Sequence, residues 1–179
     1  MILSDDQNLI SKNDRKFIWT RHIYDSLRLA QFINSSGNDI IDIGSGAGFP
    51  GIPVSLLFSS QNRVFLCENR SKRASFLNKC IAKLDLKNTE VIPIKAEKIE
   101  NKKFDIILAR AVSQLNHLLS ISYNISKKNT TLLLHKGVHI DEEIMQATKC
   151  WKFTHVLHEN EREKGSFILE LKNVIKSIT

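Results

Sequence analysis

Cysteine is scarce in this chain of 179 residues, and its arrangement excludes two classes at once. Cys67, Cys80 and Cys150 are odd in number and sit in no C-x-x-C or Cys/His ligand spacing. Neither a disulfide framework nor a zinc site is expected, and the thiols read as those of a reduced, cytoplasmic protein that carries no metal. Long apolar runs are also missing: stretches such as Val54 to Phe58 end well short of a membrane span, so no membrane association is expected. The opening residues, MILSDDQNLISKND, place acids where a secretory signal needs a basic region followed by an apolar stretch. No internal repeat, low-complexity tract or linker divides the chain, and its length suits one domain. Acidic residues are the minority, 19 against 26 Lys and Arg, for a formal net charge of +7. That balance favours a polyanionic partner, although a coding sequence rich in A and T produces the same lysine excess. With 42% hydrophobic and 25% charged residues the composition is globular.

Phe17, Ile18, Ile23, Leu27, Ala30 and Ile33 recur near helical spacing, predicting one or two helices that end at a Gly37–Asp39 turn. DIIDIGSGAGFPG then reads as a strand ending at about Ile43, a glycine-dense loop, and a helix whose apolar face carries Ile52, Val54, Leu56 and Leu57. RVFLCE is a second strand, and SKRASFLNKCIAKLDL a helix with Phe76, Leu77, Cys80, Ile81 and Leu84 on one face. A third strand spans Thr89 to Ile94, and the alternation continues with FDIILAR, a helix near Leu115 to Ile125, TLLLH and a helix from Asp141 to Thr148. WKFTHVLHE and SFILELK break the pattern as two alternating strands joined by a short polar stretch containing Gly165, an antiparallel hairpin. The expected architecture is α/β: one doubly wound, mostly parallel seven-stranded sheet, Rossmann-like, with residues 1–36 as a helical segment packed on a core formed by 37–179.

Gly44, Gly46 and Gly48 follow a strand and precede a helix, where backbone without side chains can approach a ligand at the carboxyl edge of a sheet. Gly46, Gly48 and Gly51 also satisfy G-x-G-x-x-G, the dinucleotide fingerprint. Glu68, at the end of the second strand, can accept hydrogen bonds from both ribose hydroxyls of an adenosine, as NAD or S-adenosylmethionine would present them. The alternative for Glu68 is a solvated pair with Arg70 or Arg73. Asp42 is an acid where dinucleotide enzymes usually carry an apolar residue; it suits a ligand bearing an ammonium or sulfonium, or else it caps the loop from inside.

These residues resemble a known family. D-x-G-x-G-x-G after a strand, Asp42 to Gly48, is similar to the class I S-adenosylmethionine methyltransferases. DIGSGAGFPGIP with CENRSKRASFL, KAEKIE, FDIILARAV, the upstream RHIYDSL and the later HKG more narrowly resembles the bacterial small-subunit ribosomal RNA methyltransferase G family, also called glucose-inhibited division protein B. The resemblance implies a cytoplasmic, S-adenosylmethionine-dependent enzyme that methylates N7 of a guanine in the decoding-region loop of 16S rRNA, free or in the 30S particle. It assigns 37–179 to the methyltransferase domain and cofactor contacts to Gly44, Phe49, Ala96, Glu97 and Arg110, beside the loop positions Asp42, Gly46, Gly48 and Glu68. Glu97 near Lys98 and Arg110 on the surface each have an ion-pairing alternative. Arg21, His22, Arg110 and Lys136 are substrate-side candidates, with a capping or core-edge role as the alternative for His22. About 20 residues precede RHIYDSL, fewer than is usual in the family, and His135 stands where a small or apolar residue is more usual, read as a tolerated surface change.

Guanine N7 is a neutral lone pair that loses no proton on methylation, so no general base is required. The prolines, Pro50, Pro53 and Pro93, are never adjacent and none precedes a cysteine, which disfavours exocyclic-amine and pyrimidine-carbon chemistry. Ribose methylation, for which Lys136 could serve, stays open. Arg63, Arg70, Lys72, Arg73, Lys127 and Lys128 are candidate phosphate contacts. A nicotinamide-dependent oxidoreductase and a noncatalytic RNA-binding module on the same fold are the competing readings. Oligomeric state is not encoded in any pattern found, and a monomer is the simplest expectation.

Overall fold

The structure, a computed structural model, describes residues 17–33, 36–59, 61–110 and 112–177. Its centre is a seven-stranded sheet of β1 (Asp39–Ile43), β2 (Arg63–Cys67), β3 (Thr89–Ile92), β4 (Phe104–Arg110), β5 (Ser126–Lys136), β6 (Trp151–Glu159) and β7 (Phe167–Lys176). The order is β3-β2-β1-β4-β5-β7-β6. β1 to β5 run parallel, and β7 is antiparallel to both β5 and β6. The expected doubly wound sheet with an antiparallel terminal hairpin is therefore present. All five residues of β1 are buried, as a parallel strand covered on both faces requires.

Among the described residues five α-helices cover the two faces: α1 (Asp25–Ala30), α2 (Gly51–Leu57), α3 (Ser71–Leu84), α4 (Leu115–Ile125) and α5 (Ile140–Ala147). Alternation along each strand divides the core. Ile41, Ile43, Phe65, Phe104 and Ile107 pack with Leu115, Leu118 and Leu119 of α4 on one face. Ile40, Val64, Leu66 and Leu108 pack with Leu29 of α1, Val54 of α2 and Phe76 and Leu77 of α3 on the other. A π-helical turn, Ile18–Tyr24, leads into α1. Among the described residues no helix is long and apolar enough to cross a membrane.

Several boundaries and faces differ from the sequence expectation. β3 stops at Ile92 rather than Ile94 because Pro93 has no N–H to donate to the ladder. β5 starts at Ser126, directly after α4, held there by Thr130, whose hydroxyl donates to the Phe104 carbonyl and accepts from the Lys127 amide. Leu56, Leu57 and Leu84 are exposed instead of joining the apolar faces assigned to them. A seven-residue α2 completes under two turns, and its buried side is taken by Ile52, Pro53, Val54 and Ser55. The functional consequence of the topology lies between β1 and β4, where the strand order reverses and the carboxyl ends open a crevice.

Candidate functional site

The loop after β1 occupies that crevice. The amides of Gly44 and Ser45 both donate to the Cys67 carbonyl, at 2.9 and 3.0 Å, so the loop is tied to the end of β2. Gly44, Gly46 and Gly48 have φ of +70°, +56° and +92°. At Gly46 a Cβ would meet nothing nearer than the Gly44 carbonyl oxygen at 3.7 Å. Packing inside the chain therefore does not demand glycine there; the left-handed backbone favours it, and the bare backbone leaves room for a ligand to approach. Gly51 is different: a Cβ would lie 2.3 Å from Leu66 Cδ2 and 2.8 Å from Asp42 Oδ2, so its absence lets α2 close on the sheet.

Glu68 supports the loop from the end of β2. Its side chain is buried, Oε2 accepts the Gly46 amide at 3.1 Å, Oε1 accepts the Arg70 amide at 2.8 Å, and Arg73 lies 3.8 Å away. Each carboxylate oxygen retains a lone pair for a hydroxyl. Removing this carboxylate in Glu68→Ala is expected to lower cofactor affinity at least tenfold and stability by about 1–2 kcal/mol. Calorimetric titration and urea denaturation check the two effects.

Asp42 does not line the crevice. Strand alternation turns it under α2, where it is fully buried; Oδ2 accepts the Gly51 amide at 3.0 Å, and Oδ1 accepts no hydrogen bond from the described residues. Burial, opposed in part by the nearby Ser45 hydroxyl and by the Gly51 amide, pushes its carboxyl up to about 7. The internal loop-fastening role is the one the geometry supports, and direct contact with a cationic ligand is not.

A cleft of about 210 Å³ opens beside Gly44, lined by Asn69, Ala96, Glu97, Val112 and His117 among others. The turn Ala96–Lys98 buries Ala96 and leaves Glu97 half exposed, with its carboxylate 3.8 Å from His117 Nε2 rather than against Lys98. Asn69 and His117 escaped the sequence reading. Asn69 directly follows Glu68 at a strand end and was findable; His117 reaches the cleft only through the placement of α4.

On the other side of the loop the Phe49 ring stacks on His22 at 5.2 Å, and the Arg110 guanidinium lies 5.9 Å from the Phe49 ring centre and donates to His22 Nδ1. Three residues from three segments thus meet at the end of β4. His22 lies inside the π-helical turn rather than at a helix end, half-buried and with its Nε2 shielded from solvent. The Arg21 side chain lies outside what the structure describes.

Lys136 and His135 sit at the end of β5. Lys136 Nζ, with its side chain 7% exposed, donates to the Ser113 carbonyl at 3.0 Å and Glu143 Oε2 at 2.7 Å; Glu143 Oε2 also accepts the Leu115 amide. An ammonium so engaged is poorly placed to serve as the base of a ribose methylation. His135 is no surface change. Its Nε2 is shielded and has no partner among the described residues, and burial, reinforced by Arg110 and Arg28, drives the imidazole down to about 3.

Comparison with known proteins agrees with this geometry. The sequence profile of rRNA small subunit methyltransferase G matches residues 3–168. The chain belongs to that family. It is 39% identical over 171 residues to "Ribosomal RNA small subunit methyltransferase G" of Rickettsia bellii (strain OSU 85-389), covering 96% of this chain and 86% of the relative. Solved structures share the fold at low identity. A SAM-dependent methyltransferase from Aquifex aeolicus superposes with a TM-score of 0.65 at 16% identity, covering 84% of this chain and 89% of that one. M. jannaschii TYW2 in complex with AdoMet gives 0.66 at 17%, covering 92% and 80%. The protein is an S-adenosylmethionine-dependent methyltransferase, so the nicotinamide reading of the glycine run is set aside.

The basic residues proposed for RNA divide between two edges of the family fold. Arg63 opens β2 and is held by Asp39 in a two-pronged pair at 2.7 and 2.8 Å; Lys127 is the second residue of β5 and pairs with Asp105 at 2.7 Å, with Lys128 beside it. These three lie at the amino edge, opposite the crevice, because parallel strands begin there. Arg70, Lys72 and Arg73 surround the start of α3 at the carboxyl edge. Arg70→Ala with Lys72→Ala is expected to raise the KM for RNA several-fold and reduce its salt dependence, while Lys127→Ala leaves both unchanged. Initial rates at two ionic strengths distinguish the cases.

Proposed function

We propose that this methyltransferase acts on N7 of a guanine in the decoding-region loop of 16S rRNA, free or within the 30S particle, in the cytoplasm and as a monomer. The observation that carries the acceptor assignment is that the two basic side chains beside the crevice are engaged: Lys136 is held by Glu143 and Ser113, and His22 Nδ1 accepts from Arg110. A ribose hydroxyl must lose a proton on methylation, whereas guanine N7 offers a lone pair and loses none. The name carried by the Rickettsia bellii relative, a small-subunit ribosomal RNA methyltransferase, supports the same substrate.

S-adenosylmethionine, when bound, supplies an electrophilic methyl on a sulfonium. The residues fit it: backbone bare of side chains at Gly44 and Gly46, a carboxylate at Glu68 with lone pairs for ribose hydroxyls, and Ala96 and Glu97 along the cleft for the adenine. Arg110 would meet the methionine carboxylate, and the Phe49 ring stacked on His22 would shield the methyl at the end of β4. The work of the chain is to hold nucleophile and methyl in line and to shield them. Asp42 contributes indirectly by fixing Gly51 and with it the loop. Incubation with small subunits from cells lacking the modification, followed by nucleoside mass spectrometry, tests the reading: 7-methylguanosine is expected, and a ribose-methylated or amine-methylated product would overturn it.

A further inference from the structure

A second cavity of about 180 Å³ lies at the carboxyl ends of β4 and β5, lined by Val112, Ser113, His135, Lys136, Gly137 and Glu143. It shares Val112 and Ser113 with the cofactor cleft, so the short segment after β4 forms the wall between the two. Two donors of the Lys136 ammonium go to the Ser113 carbonyl and to Glu143. An ammonium has three, and the third has no acceptor among the described residues. The side chain is more than nine-tenths buried, which makes an unused donor there costly unless something in the cavity accepts it.

We propose that this cavity receives the acceptor base and that Lys136 reads guanine through its O6. The proposal rests on the N7-methyltransferase reading above and deepens it. Guanine carries O6 beside N7, and a lysine ammonium is a natural donor to that edge; adenine presents an amino group at the same place, which an ammonium repels. A donor on O6 leaves the N7 lone pair for the methyl. Glu143 completes the arrangement. Methylation leaves a positive charge on the base, which an isolated ammonium nearby would oppose, and the carboxylate paired with Lys136 cancels that opposition. Fixed by Ser113 and Glu143, the ammonium is oriented before the base arrives.

The test compares two acceptors, small subunits reconstituted from ligated 16S rRNA carrying either guanosine or 2-aminopurine riboside at the modified position. The second base keeps N7 and lacks O6. The wild-type protein is expected to prefer guanosine in kcat/KM by roughly ten- to hundredfold beyond Lys136→Met, whose guanosine-over-2-aminopurine ratio falls toward the ratio set by the bases' own reactivity. Because the intrinsic difference between the bases is common to both proteins, it cancels. Lys136→Arg, which keeps charge and donors, restores part of the preference and serves where the methionine variant fails to bind cofactor. An unchanged ratio in Lys136→Met, or a wild-type ratio no greater than the one set by the bases' own reactivity, makes Lys136 a structural clamp and overturns the proposal. A wild-type product other than 7-methylguanosine instead overturns the underlying assignment, so the two failures are distinguishable.

Discussion

Gly46→Val is expected to abolish useful cofactor binding while leaving the protein folded. The valine Cβ has room within the chain, since it would sit 3.7 Å from the nearest backbone atom. The cost to the fold is the left-handed backbone at φ +56°, about 1–2 kcal/mol for a residue with a Cβ. The cost to binding is larger, because the methyls would stand where the cofactor approaches the loop and the Gly46 amide must stay directed at Glu68. A fall of roughly two orders of magnitude in S-adenosylhomocysteine affinity, about 3 kcal/mol, is the expected calorimetric result. Gly51→Ala gives the contrast: it crowds Leu66 and Asp42 and is expected to lose about 1–3 kcal/mol of stability with a smaller effect on affinity. Equal affinities for Gly46→Val and wild type would mean that the loop does not face the cofactor.

The dependence of stability on pH is expected to change in opposite senses when Asp42 and His135 are replaced. The unfolded chain releases the Asp42 proton near 3.8 but the native one keeps it to about 7, so between those values the native state binds more protons and stability falls as pH rises. His135 acts in reverse: the unfolded chain takes up a proton near 6.5 and the native one only at about 3, so over that interval stability rises with pH. Each group contributes a slope of up to about 1.4 kcal/mol per pH unit, and in the wild type the two oppose each other between pH 4 and 6.5. Asp42→Asn, which still accepts the Gly51 amide, leaves the rising slope; His135→Gln leaves the falling one. Urea denaturation at pH 4.5 and 6.5 is expected to separate the variants by roughly 4–5 kcal/mol in their change between the two pH values. Asp25, Asp105 and Glu170, whose carboxyls are also displaced, are common to all three proteins and drop out of the comparison. Parallel profiles would show that neither group is as sheltered as its surroundings imply.

The sequence was most informative where function is carried by a contiguous strand, loop and helix. Asp39 to Gly51 and the acid at the end of β2 could be placed on the carboxyl edge without coordinates, because a parallel strand followed by clustered glycines has few other uses. The direction of Asp42 could not. A strand buried on both faces gives no polar side from which to read the alternation, and only the packing of α2 shows that this acid points under the loop. Glu143 escaped because its partners, Lys136 and the Leu115 amide, come from other elements brought together at the sheet edge. The division of the basic residues was partly legible: Arg63 and Lys127 lie at strand starts, and the opening end of a parallel strand lies away from the crevice. His135 was misjudged because a polar residue at a strand end ordinarily meets solvent, whereas here its ring nitrogen lies under the influence of Arg28 and Arg110.

If guanine N7 is the accepting atom, replacing that one atom abolishes the reaction. Small subunits reconstituted with 7-deazaguanosine at the modified position keep every exocyclic group, the ribose and the Watson–Crick edge, and lose only the lone pair. With radiolabelled S-adenosylmethionine no methyl incorporation into these particles is expected at enzyme levels that saturate the guanosine control; incorporation at the control rate would mean that another atom accepts the methyl.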